Sequence, residues 1–512
     1  MRRRINVVGN RDTSGPAADP NLGLLTTLPG STKMLANRAA HIHNDAHSTH
    51  SHAVQQSVAS YNGPITWSPA LRNHSSPPIH GLPLEVLGEI LILALPTNQE
   101  LYDKFYRRKR ELINSPLVFC AVCSSWRFLA FSTPRLWVTV VIHIPLDINR
   151  ARAQRKAAGL VQWIERARQL PITLYISCSD MWEPPKEGPE AVISVINDHA
   201  ARWESLYSPD FPSKSSSFQF DGWQSLQRLC YSWWDPVACA NETVPWAHLT
   251  HLEIRISITC WDATMIFMKC PKLVYLSIYA MNPPTIGPGQ STVPIILEDL
   301  AIFALETHQD NVQTLADRLS LPSLRKISIN EISARDIQSL LNLLTRSSCS
   351  LDELNICGFR FSSGDYLDIL THSSCDSLTS LTLQPSSPDM NWSIDEELLR
   401  RLTLHQNDTV CHHLIFLSIG YRILPPLHSA LLNMVESRIK SHTGPEPGLQ
   451  YLRLYVECLE NTAEMDKVGR RSGLEYSRES FFEPGHFSFK FRRQGFREPT
   501  HFTTHFSHLF WS

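Results

Sequence analysis

Leu324-Arg325-Lys326-Ile327-Ser328-Ile329 and Leu351-Asp352-Glu353-Leu354-Asn355-Ile356 are one phrase, apolar-x-x-apolar-x-apolar, written twice. Outward from this pair it recurs upstream as LTHLEI from Leu249, LVYLSI from Leu273 and LEDLAI from Leu297. Downstream it continues as LTSLTL from Leu378, LIFLSI from Leu414 and LQYLRL from Leu449. Successive copies stand 24, 24, 27, 27, 27, 36 and 35 residues apart. Less regular copies lie at Trp203-Glu204-Ser205-Leu206 and Leu226-Gln227-Arg228-Leu229. The last three positions of each phrase alternate apolar, polar, apolar, which is the period of a strand with one face buried.

Between phrases the period becomes helical. Ile337, Leu340, Leu341 and Leu344 in ARDIQSLLNLLTRSS fall at i, i+3, i+4 and i+7, and LHSALLNMVESRI (residues 427–439) is patterned alike. A unit of one strand and one helix cannot bury its own apolar face, so neighbours stack into a continuous core. The predicted fold class is therefore an α/β repeat, a solenoid of short parallel strands on a concave face and helices on a convex one. The LxxLxL phrase resembles leucine-rich-repeat proteins over about residues 200–460. The asparagine such repeats carry three residues beyond the last apolar position is absent; Ile332 and Phe359 stand there. GLVQWIERARQLPITLYISC reads as a lead-in, a helix bearing Leu160, Trp163 and Ile164, then a strand through Ile172, Leu174 and Ile176.

Upstream, LPLEVLGEILILALP (residues 82–96) is too apolar for an ordinary surface helix and too short to cross a membrane. Pro83 suits a first helical turn, and Glu85 and Glu89 form one narrow polar stripe. Leu84, Val86, Leu87, Ile90, Leu91 and Leu93 cover most of the remaining circumference. After a charged insertion, Ser115-Pro116 begins a second helical pattern that runs through Leu117, Val118, Val122, Trp126 and Leu129 to Thr133-Pro134. Together these segments predict a small three-helix unit. Small domains bury only about 60% of their surface, so a helix apolar on two sides calls for a partner groove.

Leu82-Pro83-Leu84-Glu85-Val86-Leu87 with Ile90-Leu91, then Leu117, Val122-Cys123-Ser124-Ser125-Trp126-Arg127 and Pro134-Arg135-Leu136-Trp137, resembles an F-box over about 60 residues. The resemblance implies docking on the C-terminal helices of a Skp adaptor, and through it on a cullin–RING ubiquitin-ligase core. It places Leu82, Pro83, Val86, Leu87 and Ile90 at adaptor-facing or packing positions, with Leu117, Val122 and Trp126 doing likewise in the second half. The insertion between Pro96 and Ser115 is longer than in compact members. The implied organisation is residues 1–77 without fixed structure, an F-box domain at 78–145, a leucine-rich-repeat recognition domain at 146–460, and a cap or tail at 461–512.

The 512 residues are 43% apolar and 19% charged with a formal net charge of −2, which gives no global bias toward nucleic acid or an anionic membrane. Twelve cysteines without even pairing suit a reducing compartment. The N-terminus lacks an apolar run behind its arginines, so the chain reads as cytoplasmic or nuclear. Residues 1–77 are rich in Ser, Asn, Pro, His and Gly, a composition that leaves chains solvated. The tract HIHNDAHSTHSH (His41, His43, His47, His50, His52) leaves open a metal site, and the basic, aromatic tail with Arg470, Arg471, Arg492 and Arg493 a nucleic-acid contact. FSFKF in that tail also reads as a strand closing the array.

No nucleophile elbow, phosphate-binding loop, H-E-x-x-H or dinucleotide fingerprint occurs. Cys120-x-x-Cys123 lies inside an apolar helical pattern without a second pair at zinc spacing. Cys411, His412 and His413 sit before a repeat strand, where successive side chains point to opposite faces. No catalytic residue, metal or cofactor is expected. Trp233, Trp234 and Trp261 are the candidate contacts to an unknown protein substrate, since exposed aromatics on repeat loops favour binding. The sequence thus implies a non-catalytic, substrate-recognising subunit of a Skp–cullin–F-box ligase. A non-proteolytic scaffold, or a metal- or nucleic-acid-binding protein using its terminal segments, are the alternatives.

Overall fold

A computed structural model of the chain describes residues 82–98, 100–101, 115–145, 148–179, 189–210, 220, 222–231, 244–282, 294–306, 312–359, 361–385, 394–404, 408–420, 427–440, 449–457, 475–480 and 486–492. The histidine tract, Trp233, Trp234, Arg470, Arg471 and Arg493 lie outside the described residues. The helices α1 (Leu84–Leu93), α2 (Pro116–Val122) and α3 (Ser124–Ser132) come first, and Asn98, Glu100 and Leu101 between α1 and α2 are helical as well. The strands then follow in chain order as β1 (Thr139–Pro145), β2 (Ile172–Ser179), β3 (Trp203–Asp210), β4 (Arg228–Tyr231), β5 (His251–Thr259) and β6 (Tyr275–Asn282). A two-residue strand β7 (Ile295–Ile296) precedes β8 (Ile302–Glu306), and β9 (Leu319–Ser320) precedes β10 (Lys326–Ser333). The series ends with β11 (Glu353–Phe359), β12 (Ser380–Pro385), β13 (Phe416–Ile419), β14 (Tyr451–Glu457), β15 (Glu475–Ser480) and β16 (His486–Arg492).

From β1 to β14, with β7 and β9 set apart as their own pair, twelve strands lie side by side in chain order and all parallel. This is an α/β repeat compatible with a solenoid. The FSFKF segment lies in β16, which pairs antiparallel with β14 and carries β15 outside it. Thr139–Pro145, at the end of the segment expected to form an F-box domain, is the first strand of this sheet.

Register explains why the phrase is so regular. Val140, Leu174, Leu206, Leu229, Leu252 and Leu276 are successive Cα partners, and the row runs on through Phe303, Ile327, Leu354, Leu381, Leu417 and Leu452. Every member of that row is buried. Parallel strands laid in chain order and joined by crossovers of one hand carry all connections over the same face. The helices α4 (Arg150–Arg166), α5 (Glu190–Asp198), α6 (Cys260–Lys269), α7 (Val312–Ala316), α8 (Ile337–Ser347), α9 (Ser363–Leu370), α10 (Glu396–Leu402) and α11 (His428–Lys440) form that layer, while on the opposite face Leu101 packs against Tyr175 and Cys230.

One phrase was set three residues early. Leu276 and Ile327 both pair with Phe303, and Ile278 and Ile329 with Leu305, so the copy in β8 is LAIFAL from Leu300, not LEDLAI from Leu297. Leu297 belongs to the turn before it. The Leu300 N–H donates to Leu297 O, as Leu249 does to Trp246, Leu273 to Cys270, Leu324 to Leu321 and Leu378 to Cys375. The turn residue is apolar in each case, so the three-residue spacing extends one step upstream and the phrase can be read too soon. A backbone relay confirms the register. The second residue of each phrase, Thr250, Val274, Ala301, Arg325, Asp352 and Thr379 among them, accepts at its carbonyl from two successive N–H groups of the next unit.

Several strands hand over to their helices through a box the sequence spells out. Thr259 with Asp262, Ser333 with Asp336 and Ser362 with Asp365 each satisfy helix-starting N–H groups reciprocally.

Trp137 joins the helices to the sheet. It stands three residues before Val140, the place that Leu226 or Leu249 takes in later units. Its Nε1–H donates to Ala130 O of α3 at 2.7 Å, and its carbonyl accepts from Trp163 Nε1 of α4 at 2.9 Å. The two indoles meet edge to face with centroids 4.9 Å apart, and the Arg166 guanidinium lies 4.6 Å over the Trp137 ring. Truncating a buried aromatic costs about 3–5 kcal/mol. Trp137→Ala should lose that much in urea unfolding, with Trp137→Phe intermediate; a loss below about 1 kcal/mol would show that the joint carries little.

Candidate functional site

The helix α1 has three stripes. Leu87, Gly88 and Leu91 are buried, with α1 packed on α3 and the turn at Pro134–Trp137. Glu85 and Glu89 are exposed, and Glu89 forms an ion pair with Arg135. Val86, Ile90 and Leu93 form the third, at i, i+4 and i+7, and are 45%, 40% and 83% exposed. An ordinary amphipathic helix has one apolar stripe and meets water with the rest. This one presents a second apolar stripe outward.

The second half has the same property. Ser115 caps α2 by accepting from the Leu117 N–H, and Pro116 occupies the first turn. Phe119 and Cys120 turn inward while Leu117, Val118 and Val122 are exposed. The sequence pattern runs unbroken through Cys123, yet Cys123 is extended (φ −158°, ψ 173°) and divides the run into α2 and α3. Its Sγ accepts from the Trp126 N–H at 3.4 Å as the α3 cap, while Arg127 Nε donates to Cys120 O across the break at 2.8 Å. The Cys120–Cys123 pair is thus split between a buried thiol, pushed up mainly by desolvation, and a helix cap. On α3, Leu129 and Ala130 are buried and Phe128 and Phe131 face out.

Ten of the fourteen exposed large apolar side chains among the described residues therefore fall between residues 82 and 131. Of the positions that the F-box resemblance singles out, Leu82, Pro83, Val86, Ile90, Leu117 and Val122 are exposed. Leu87 packs inside, and Trp126 is half-buried with its ring edge-on to Phe119, centroids 6.2 Å apart. Leu84, Leu93, Val118, Phe128 and Phe131 are outward residues that the motif comparison did not single out. The Val86–Ile90–Leu93 spacing was the signal that could have found Leu93.

The face of the sheet opposite the helix layer is largely closed, with Tyr175, Cys230, Glu253, Ala304, Ser328, Asn355 and Ser418 all buried. It carries Tyr175, Tyr207, Cys230, Glu253, Ser277, Ala304, Ser328, Asn355, Thr382 and Ser418, which are successive Cα partners on β2 to β13. Tyr175 and Tyr207 stack at 4.5 Å, His251 and Tyr275 at 5.8 Å, and Phe416 and Tyr451 at 4.6 Å. Burial pushes the Tyr275 and Tyr207 phenols up. Trp261, expected on a repeat loop facing the substrate, instead lies within α6 and is half exposed on the helix layer. It was misplaced because the Thr259–Asp262 cap starts a helix at Cys260, directly after the strand.

Among the described residues no group of three His, Cys, Asp or Glu is arranged to hold a metal ion, and no helix is long and apolar enough to cross a membrane. No protein-family model matches the chain, and no curated protein matches it.

Desolvation, with Arg228 second, pushes the His251 imidazole down to about 4. In the unfolded chain it titrates near 6.5. Between those values the unfolded state binds a proton the folded state does not, so stability falls as pH drops through that window. His251→Phe keeps a ring for Tyr275 and removes the titration. Thermal melts between pH 7 and pH 4.5 should show a smaller decline for the variant; equal declines would exclude His251 as a contributor.

Proposed function

We propose that this chain is the substrate-recognition subunit of a Skp–cullin–F-box type ubiquitin ligase, with α1–α3 as its F-box and the strand–helix array as a leucine-rich-repeat receptor. The observation that carries the reading is the concentration of outward apolar side chains on α1–α3; of the other described helices, α6 alone leaves large ones exposed, Trp261 and Met268. Helix-in-groove docking uses such i, i+3, i+4, i+7 anchors, and the matched residues Leu82, Pro83, Val86, Ile90, Leu117 and Val122 lie among those exposed. No covalent step occurs on this chain. Its contribution is to hold an acceptor lysine of a target near the charged conjugating enzyme, which turns a bimolecular encounter into an intramolecular one.

Covering a branched apolar side chain contributes about 1.5–3 kcal/mol at full burial, and a carboxylate in its place adds a desolvation cost. The full chain should co-purify with a Skp adaptor, and Val86→Asp/Ile90→Asp should weaken that association at least 100-fold while leaving the melting temperature within a few degrees, because both side chains already face solvent. Trp261→Ala, on the helix layer, should bind as wild type does. Failure of the wild-type chain to bind, or undiminished binding by the double variant, would overturn the assignment. Recovery of a cullin with the adaptor separates a ligase subunit from a scaffold that binds the adaptor alone.

A further inference from the structure

The division between α2 and α3 sets Cys123 at the head of a helix, where the sequence pattern alone would bury it inside one. Ala121 and Val122 are both helical, which places the Cα atoms of Cys120 and Cys123 about 5 Å apart. Disulfides span roughly 4.4–6.8 Å between Cα atoms, so the backbone already meets that requirement. Of the nine cysteines whose surroundings are described, Cys123 alone is not buried. Val122, Ser124 and Ser125 on either side of it are exposed, which leaves a small solute a path to its sulfur. Cys120, three residues earlier, is buried.

Three contacts hold the break between the helices. Cys123 Sγ accepts from the Trp126 N–H at 3.4 Å, Arg127 Nε donates to Cys120 O at 2.8 Å, and Phe119 meets Trp126 edge to face. The first of these satisfies one of the α3 N–H groups that have no partner within the helix. A thiol is therefore both the cap of α3 and the reachable half of a pair.

We propose that Cys120 and Cys123 are a redox pair whose oxidation by a hydroperoxide uncaps α3. The Cys123 thiol attacks the peroxide, gains one oxygen as a sulfenic acid and releases the alcohol, or water where the oxidant is hydrogen peroxide. The Cys120 thiol then attacks that sulfur, the S–S bond forms and water leaves; a dithiol reductant returns both thiols. Burial pushes the Cys120 thiol up and keeps it protonated, which leaves the first step to Cys123 and the second to Cys120. Closing the bond draws Cys123 Sγ toward α2 and off the Trp126 N–H, so the first turn of α3 frays. Trp126 lies on that turn and Phe128 on the next. On the docking reading proposed above, oxidation then disorders the second half of the adaptor surface; the redox pair itself does not depend on that reading.

Both cysteines fall in one tryptic peptide, residues 111–127. After the full-length chain is treated with hydrogen peroxide and alkylated in denaturant, that peptide should appear unalkylated and lighter by two hydrogens, and dithiothreitol should reverse the change. Hydrogen exchange at the Trp126 and Arg127 amides should quicken at least tenfold in the oxidised chain, with exchange in α8 unchanged. Cys123→Ser loses the disulfide but keeps a side-chain cap, since serine is a preferred N-cap; its α3 exchange should stay slow with or without peroxide. Adaptor binding by the same samples should fall at least tenfold on oxidation of the wild-type chain and hold in Cys123→Ser. Full alkylation of both cysteines after peroxide, α3 exchange that stays slow in the disulfide form, or equal quickening in Cys123→Ser would each overturn the pair. Mapping and exchange use no adaptor, so a chain that never binds one fails the docking reading while these two measurements still decide the redox pair.

Discussion

Twelve parallel strands in chain order leave the connections only one face to cover. That constraint assigns the rest of the molecule. The covered face must be apolar in every strand, and the row from Val140 to Leu452 meets it without exception. The other face carries small and polar side chains with tyrosine and histidine stacks, most of them buried as well. Because each phrase contributes one residue to the row, a strand cannot slip without moving its apolar pair to the wrong side. The doubled hydrogen bonds onto the second residue of each phrase fix the same register through the backbone. They also occupy the place at the strand entrance where unit meets unit, in an array that lacks the asparagine of regular repeats.

The helical unit is continuous with the array, since Trp137 serves both. Its ring contacts α4, its Nε1–H is spent on α3, and its position is that of the leading residue of the first strand. Arg166 spans Phe131 and Trp137, so the first repeat helix also touches α3. On the proposed reading this matters for catalysis by proximity. A flexible joint would spread the target over many positions relative to the conjugating enzyme, whereas a packed joint restricts it to a narrow set.

The strands were legible because a period of two with one fully buried face is hard to mistake, and α1 because its apolar residues exceed what one face can hold. LEDLAI misled because Leu297 and Leu300 repeat the spacing of Leu300 and Phe303, and only pairing with β6 and β10 distinguishes them. The division at Cys123 has no sequence mark: neither glycine nor proline is present, and a cysteine caps the next helix where Ser, Thr, Asp or Asn is usual. Trp261 looked like a loop aromatic because the turn between β5 and α6 has no length. Leu101 was invisible for a different reason. Its partners Tyr175 and Cys230 lie 74 and 129 positions away (175−101 and 230−101), and no local pattern encodes a contact made across the sheet.

Irregular spacing between later units raises a question that the helix layer answers. Steps of 36 and 35 residues put longer links on that layer, and their carbonyls need donors once buried. Arg438 on α11 is almost wholly buried and donates to Leu402 O at 2.6 Å, Cys411 O at 3.0 Å and Val410 O at 3.1 Å. Burial lowers its guanidinium to about 10, so it stays protonated at neutral pH and keeps its donors. Arg346 on α8 reaches back to Leu319 O at 2.7 Å, and Arg202 to Leu170 O at 2.7 Å. In each case the arginine of one unit satisfies carbonyls of the unit before it. Because a guanidinium offers five donors in a fixed fork, one side chain closes a link whose own backbone cannot, and unit length can vary while the row beneath it does not.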